Sequence, residues 1–425
     1  MNDKPKPIGL PFNIDRLLQE TTLALMRQPD RTRETEGALA MLQRYRAQND
    51  RAPLPDKDAA SPQGEGRQLG AMAAAIDAIA AADAASLPLR TFGPPDISAV
   101  EELMRKRVYR GAAGHIANFK IIVGGYSKQT SLFDWIGADG TAAGYVLRRD
   151  SPVGIVGSTV SDEFPLLAAL HRLGQPVPEP VLVEMDNPAI SGSFIVTRRL
   201  PGRSIGGPLG PGEDRAFDPS PALAKMLAEL HAVPVAELGV PRYSDQPFGR
   251  NMLLAHIAYW RDRFHKNRET PSPALDAAVA FLEAEVAAGL QPGVVVHGDP
   301  GYYNLLFDDD RLVGVVDWEL AHLGSAAWDL TYIKEAVEAF RPHEDFLRLY
   351  ERYGGIRPPP AALAYYNVFR LLYGGTMCVD GLAMFNRGDV IGLDLVHVLC
   401  TMYGRYIQQL PAAIQAFYDL TGKRL

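Results

Sequence analysis

Cysteine is scarce: the 425-residue chain has two, Cys378 and Cys400, each inside an apolar stretch. Two isolated thiols exclude a disulfide framework and the paired spacing of a Cys-rich metal site, and they fit a reducing, cytoplasmic compartment. An excess of positive charge is also lacking. Lys and Arg total 43 against 50 Asp and Glu, a formal net charge of −7, which argues against a protein that coats nucleic acid but leaves room for a local basic pocket around an anionic ligand. No run reaches the roughly 18 uninterrupted apolar residues of a membrane span. The nearest, AMAAAIDAIAAADAAS, is interrupted by Asp77 and Asp83, and the N-terminal MNDKPKPIGLPFNIDRLL lacks the apolar centre of a signal peptide. Neither export nor membrane insertion is expected. What remains is an ordinary globular balance, 47% hydrophobic and 22% charged, sufficient for about two or three folding units.

Apolar residues recur three and four apart over residues 13–49, predicting two amphipathic helices. Residues 50–66, DRAPLPDKDAASPQGEG, read as a linker, and helical pattern resumes at Gln68–Ala85 and again at Ile97–Arg110. The last of these carries Arg105, Lys106, Arg107 and Arg110, a cluster expected to form a solvated helix face. Near Asn118 the texture changes. FKIIVGG, TSLFDWIG and AAGYVLRRD alternate apolar and polar residues between Gly-containing turns, as antiparallel strands do. A helix over Ser161–Leu173 and two strands, VLVEMD and GSFIVTRRL, complete this part. Beyond about Pro221 the pattern is helical, with segments at 327–340, 343–353, 360–385 and 389–410, apart from one short β insert. The expected fold class is α+β: an N-terminal helical extension over residues 1–114, a β-rich lobe over 115–200 and a helical lobe over 201–425.

The insert carries the chemistry. Val294–Val296 forms a short strand, HGDPGYYN a loop, and LLF and LVGVVD a hairpin with an acidic turn. Asp299 and Asn304 lie five residues apart in the loop, and the hairpin returns Asp317 beside them. A carboxamide and a carboxylate are hard oxygen ligands that, with phosphates and water, complete the octahedral shell of Mg²⁺. One carboxylate is left over. In phosphoryl transfer it aligns the attacking hydroxyl and accepts its proton, because the loose transition state requires positioning and charge neutralisation more than a strong base. Asp299 takes that role in this reading, and Asn304 and Asp317 hold the cation. The plain alternative is a polar turn followed by an ordinary hairpin.

HGDPGYYN and DWE, with FIVTRRLPGRSI upstream, resemble the aminoglycoside phosphotransferase and choline kinase-like family. GGYSKQTS, YVLRRDSPVG, EFPLLAAL, LAELHAVP and VVDWELAHLG are similar, more narrowly, to the branch that includes kinase-like domains fused to acyl-CoA dehydrogenases. The resemblance spans roughly residues 115–410 and implies a bilobal protein kinase-like fold with ATP between the lobes. It places Gly124, Gly125, Ser127 and Lys128 in the hairpin loop over the phosphates, where glycine lets backbone N–H groups approach an anion. The phosphate-contacting cation becomes Arg148, or its neighbour Arg149, with Glu163 on the following helix directing it. Backbone groups around Thr197, Arg198 and Arg199 would meet the adenine. Lys128 stands where relatives commonly have Asn, and Ser325-Ala326 replaces a common Asp-Pro, while Asp329 is retained to brace the catalytic loop.

Several residues have plainer readings. His297 reads as a structural histidine that hydrogen-bonds the loop, His231 as a packed helix-end residue, and Trp318 as a filler behind the site. Glu163 taken alone is a solvated helix residue, and Gly124 with Gly125 an ordinary turn. The expected activity is ATP- and Mg²⁺-dependent phosphorylation of a hydroxyl on a small molecule. The resemblance favours a hydroxyacyl-CoA or another catabolic hydroxylated metabolite. An antibiotic pocket is usually acidic, whereas FRLLYGGTMCVDGLAMFNRGDVIGLD is mostly apolar. The alternatives are an antibiotic-type phosphotransferase and a catalytically silent nucleotide-binding scaffold. Neither nucleic acid nor membrane is an expected partner, and the N-terminal helices leave a homodimer open because their apolar faces need a surface.

Overall fold

Side-chain alternation along the first strands decides what each face of the sheet can do. The computed structural model describes residues 95–122, 127–151, 156–187, 190, 192–207, 217–245, 247–268, 271–387 and 393–423. The helices expected over 13–49 and 68–85, the linker at 50–66 and the homodimer contact lie outside the described residues. Strands β1 (Gly114–Ile122), β2 (Lys128–Gly137), β3 (Ala142–Asp150), β4 (Pro180–Asn187) and β5 (Gly192–Arg198) form an antiparallel sheet in the order β1-β2-β3-β5-β4. In β3 the two-residue period sends Tyr145, Leu147 and Arg149 to one face and Val146, Arg148 and Asp150 to the other.

The first face is closed by α1 (Ile97–Leu103), capped by the Asp96 carboxylate, which accepts from the N–H groups of Ser98 and Ala99. Val100 and Met104 pack on Phe133, Trp135, Tyr145 and Leu147. The helix expected over 97–110 is shorter than its pattern, since a wider π turn occupies Met104–Val108 and the Tyr109 ring stacks on Trp135 at 4.5 Å. Its basic cluster is surface-paired: Arg105 with Glu101 and Glu102, Lys106 with Glu102, and Arg107 with Glu184.

Against the second face lies α2 (Val160–Arg172), opened by a capping box between Thr159 and Asp162. After β5 the chain crosses to the helical lobe. Gly202 has φ +91°, and a Cβ there would lie 2.5 Å from the Phe307 carbonyl oxygen, so only glycine allows the close approach. Arg203 and Phe307 exchange backbone hydrogen bonds of 2.9 and 2.8 Å, pinning the crossing to the strand that carries Phe307.

The helical lobe contains α3 (Ser220–His231), α4 (Arg250–Asn267), α5 (Pro273–Ala284), α6 (Ala327–Tyr332), α7 (His343–Arg352), α8 (Pro360–Asn386) and α9 (Leu393–Thr421). Strand β6 (Val294–Val296) pairs with β9 (His322–Gly324), and β7 (Leu305–Asp308) with β8 (Arg311–Val315). Strand β9 has only three residues and left no readable alternation in the sequence. The segment expected as one helix over 327–340 breaks at Ile333, which ends α6 and caps a separate short helix at Lys334–Glu338. Within α8, the stretch Pro360–Phe385 has the length and composition to cross a membrane, yet 78% of its most apolar window is buried inside the fold. Its apolarity is accounted for by packing against α4, α5 and α9 in the helical core.

Candidate active site

The loop between β6 and β7 is braced from behind before any side chain faces the cleft. Gly298 adopts φ +91°, and a Cβ would meet the Leu320 carbonyl oxygen at 2.4 Å. The fully buried Asp329, on α6, accepts from the N–H groups of His297 and Gly298, both at 2.9 Å. Its Oδ2 also lies 3.1 Å from Nε2 of His231, whose Nδ1 faces the Tyr350 hydroxyl at 2.9 Å. Burial opposes the charge on Asp329, but these hydrogen bonds hold its carboxyl below the ordinary value. His231 therefore ends a buried chain that runs Tyr350–His231–Asp329 and stops at the loop.

His297 is structural. Its Nδ1 accepts from the Asp299 N–H at 3.2 Å and its Nε2 lies 3.1 Å from the Val316 carbonyl, which assigns the proton to Nε2. Burial lowers its pKa, so it stays neutral. Trp318 fills the space behind the site, its ring 4.5 Å from that of His297 and its Nε1 donating to Val315.

Asp299 reaches the cleft with its carboxylate accepting from the Tyr303 hydroxyl. Burial pushes its pKa up to about 7; the Tyr303 hydroxyl works against that rise and the Asp317 charge adds to it. Asn304 donates through Nδ2 to the Asp299 carbonyl at 2.9 Å, which leaves Oδ1 as the atom that could accept a cation. The Val316 N–H donates to the Asn304 carbonyl at 2.9 Å and so ties the hairpin end to the loop. Asp317 follows with φ +66°, a left-handed backbone carried by a non-glycine residue, and 36% of its side chain exposed. A strained, solvent-facing carboxylate at a cleft is a common mark of function.

The sheet supplies the cations. Nη1 of Arg148 lies 2.9 Å from Glu163 Oε2 and its Nη2 2.7 Å from Asp317 Oδ1. Although burial opposes its charge, Glu163, Asp317 and Glu319 raise its pKa, so it stays protonated. Arg149 points the other way, to the Ile190 carbonyl and to Gln129, so Arg148 is the arginine of the cleft. Lys128 is not spread over the cleft mouth. As the first residue of β2 it is buried beneath, with Nζ 3.2 Å from both Glu163 and Glu319 and 3.0 Å from the Ser158 carbonyl. The Ser127 hydroxyl donates to Glu319. Glu319, two residues beyond Asp317, has no role in the sequence reading, and the left-handed turn at Asp317 is what aims it at these cations. Burial, reinforced by Asp317, raises its pKa.

Thr197 is buried on the face of Arg148, opposite Val146. Arg198 and Arg199 do not join the cleft: the Arg198 guanidinium lies over the Tyr145 ring at 4.9 Å, and Arg199 pairs with Asp134 at 2.6 Å. Their backbone N–H groups are engaged as well, donating to the carbonyls of Glu179 and Gly144. Gly124 and Gly125 lie outside the described residues.

Among the described residues no three His, Cys, Asp or Glu side chains group as a cation cage. The donors at the cleft, a carboxamide oxygen from Asn304 and the carboxylate of Asp317, instead fit a Mg²⁺ that takes the rest of its shell from phosphates and water.

A small antiparallel sheet with a helix against each face, set against a helical lobe that carries a braced Asp-Asn loop and a downstream Asp, is a kinase-like fold. The chain belongs to the phosphotransferase enzyme family (APH), whose model matches residues 118–366. It is 29% identical over 198 residues to acyl-CoA dehydrogenase family member 11 of Rattus norvegicus, a match covering 44% of this chain and 25% of that protein. The chain thus spans about a quarter of the length of that relative. A solved structure from Ralstonia eutropha superposes with a TM-score of 0.55 at 20% identity, covering 74% of this chain and 98% of that one. Spectinomycin phosphotransferase in complex with ADP and spectinomycin superposes with a TM-score of 0.51 at 17% identity, covering 76% and 100%.

Proposed function

We propose that the chain transfers the γ-phosphoryl group of ATP to a hydroxyl of a small molecule. The convergence of Asp299, Asn304 and Asp317 below the Arg148–Glu163 pair carries this reading. Asp299 holds the acceptor hydroxyl and takes its proton as the new oxygen–phosphorus bond forms and the bond to the leaving ADP oxygen breaks. With a pKa near neutrality it is matched to that transfer. Arg148, directed by Glu163, meets the phosphates, and by the family resemblance Gly124, Gly125 and Ser127 would supply the loop above them. Lys128 supports the same cluster from below. Asn304 and Asp317 would hold Mg²⁺, which supplies neutralisation of phosphate charge when bound. The adenine edge falls to backbone groups around Thr197–Arg199 other than the N–H groups of Arg198 and Arg199, which are committed within the sheet.

The name of the rat relative supports an acyl-CoA-related acceptor, such as a hydroxyacyl-CoA or another catabolic alcohol. The spectinomycin named in one neighbour's complex supports the second reading, an antibiotic acceptor. The test is ADP release from Mg²⁺-ATP against pooled hydroxyacyl-CoAs, hydroxy acids, amino sugars and simple alcohols, with Asp299→Asn alongside. Acceptor-dependent release lost in the variant is the expected result. Silence in every pool would favour a catalytically silent scaffold.

A further inference from the structure

A cavity of about 270 Å³ opens in the helical lobe and reaches Tyr303 and Tyr332, whose hydroxyls both act on Asp299. Glu335, Arg370 and Arg405 also line it. Glu335 serves both arginines: Arg370 Nη1 and Nη2 lie 3.4 Å from its Oε1, and Arg405 Nη2 lies 2.6 Å from its Oε2. Burial works against its charge, but Arg370, a hydrogen bond from Gln409 and Arg405 together hold its carboxyl below the ordinary value, so it is ionised. Two guanidiniums on one carboxylate leave one positive charge in excess there. Arg370 is also more than nine-tenths buried, and its Nε–H has no hydrogen-bond partner. That Nε–H has no accessible surface, so an anionic ligand group in the cavity would meet the outer nitrogens of Arg370 and Arg405 instead.

We propose that the acceptor is an alcohol bearing one anionic group, a carboxylate or a phosphate, that seats on Arg370 and Arg405 and turns its hydroxyl toward Asp299. This rests on the phosphotransferase reading and deepens it, in favour of a small hydroxylated metabolite over a hydroxyacyl-CoA, whose body exceeds this cavity. The cavity joins opposite charge demands: two of its tyrosines act on Asp299, and its arginines carry the excess cation. A polycationic antibiotic would meet two arginines with only one carboxylate between them. The cavity's size, at the small end for ligand pockets, suits a hydroxy acid or hydroxyalkyl phosphate body between the tyrosines and the arginines.

The experiment is titration calorimetry of the full chain with hydroxy carboxylates of graded chain length, their hydroxyalkyl phosphate counterparts, the matching neutral diols and the matching amino alcohols. The anionic members are expected to bind about tenfold more tightly than the diols, as a charge-assisted contact implies. The carboxylate and phosphate arms identify which anion is preferred. Arg405→Gln, at a side chain exposed enough to spare the fold, should erase that preference, and Glu335→Gln should strengthen it. Diols or amino alcohols binding as well as the anions, no binding by any anionic member, or an anion preference unchanged in Arg405→Gln would each overturn the proposal. ADP release is read in parallel. Anion preference without ADP release from any alcohol would refute the phosphotransferase reading while leaving the cavity's charge selectivity established.

Discussion

Burial and charge act on Asp299 in the same direction. The loop's burial, with Asp317 nearby, raises its pKa to about 7 against the pull of the Tyr303 hydroxyl. A proton acceptor must be ionised, so kcat/KM is expected to rise with pH on the acidic side with a midpoint near 7, measurable in a pH–rate profile. The stability sign is opposite. The folded pKa exceeds the unfolded value of about 3.9, so the folded chain binds more protons between those values, and stability from this group is lost as pH rises through 7. Asp299→Asn is permanently neutral. It should keep a thermal midpoint at least equal to the parent's at pH 8, while turnover falls by about 10²- to 10⁴-fold. The spacing of Asp299, Asn304 and Asp317 was readable in the sequence because one short loop and one hairpin deliver all three. Glu319 was not, because its direction depends on the positive φ of Asp317, and no spacing rule encodes that.

At the scale of the element, the strand and the braced loop make separate demands. In β3 the two-residue period already contains the choice between the arginines: Tyr145, Leu147 and Arg149 share the apolar face, which leaves Arg148 to the cleft. YVLRR therefore held the answer, but only once Tyr145 and Leu147 were assigned to the core. Arg148→Met should raise the KM for ATP at least about tenfold, whereas Arg149→Met should lower stability with little change in that KM. Steady-state kinetics with urea titration separates the two. For the loop, Asp329→Ala removes the acceptor of two buried N–H groups and of His231, and should cost ~2–5 kcal/mol in a denaturation curve. Element types were legible wherever periodicity was long, as in α8. The three-residue β9 was not, since its pairing with β6 rather than a local pattern creates it, and the break at Ile333 left no breaker residue in the sequence to mark it.

Over the whole molecule, the cleft joins the lobes by charge. Arg148 and Lys128 from the sheet meet Asp317 and Glu319 from the hairpin, and Ser127 adds a hydrogen bond. The order of motifs along the chain made this two-lobed arrangement legible, because glycine loop, cationic strand, acidic helix and Asp-Asn loop follow one another as in the resembled family. The sequence did not show what selects the acceptor. Glu335, Arg370 and Arg405 come from three separate helical segments, and only folding brings them to one cavity. The most direct test of phosphoryl transfer follows the phosphorus itself. Phosphorus NMR of the full chain with Mg²⁺-ATP and a hydroxy carboxylate series should show a phosphate monoester growing as ATP is consumed, and none with Asp299→Asn. Free phosphate as the sole product, or a monoester that forms equally well without the Asp299 carboxylate, would contradict the role assigned to this loop.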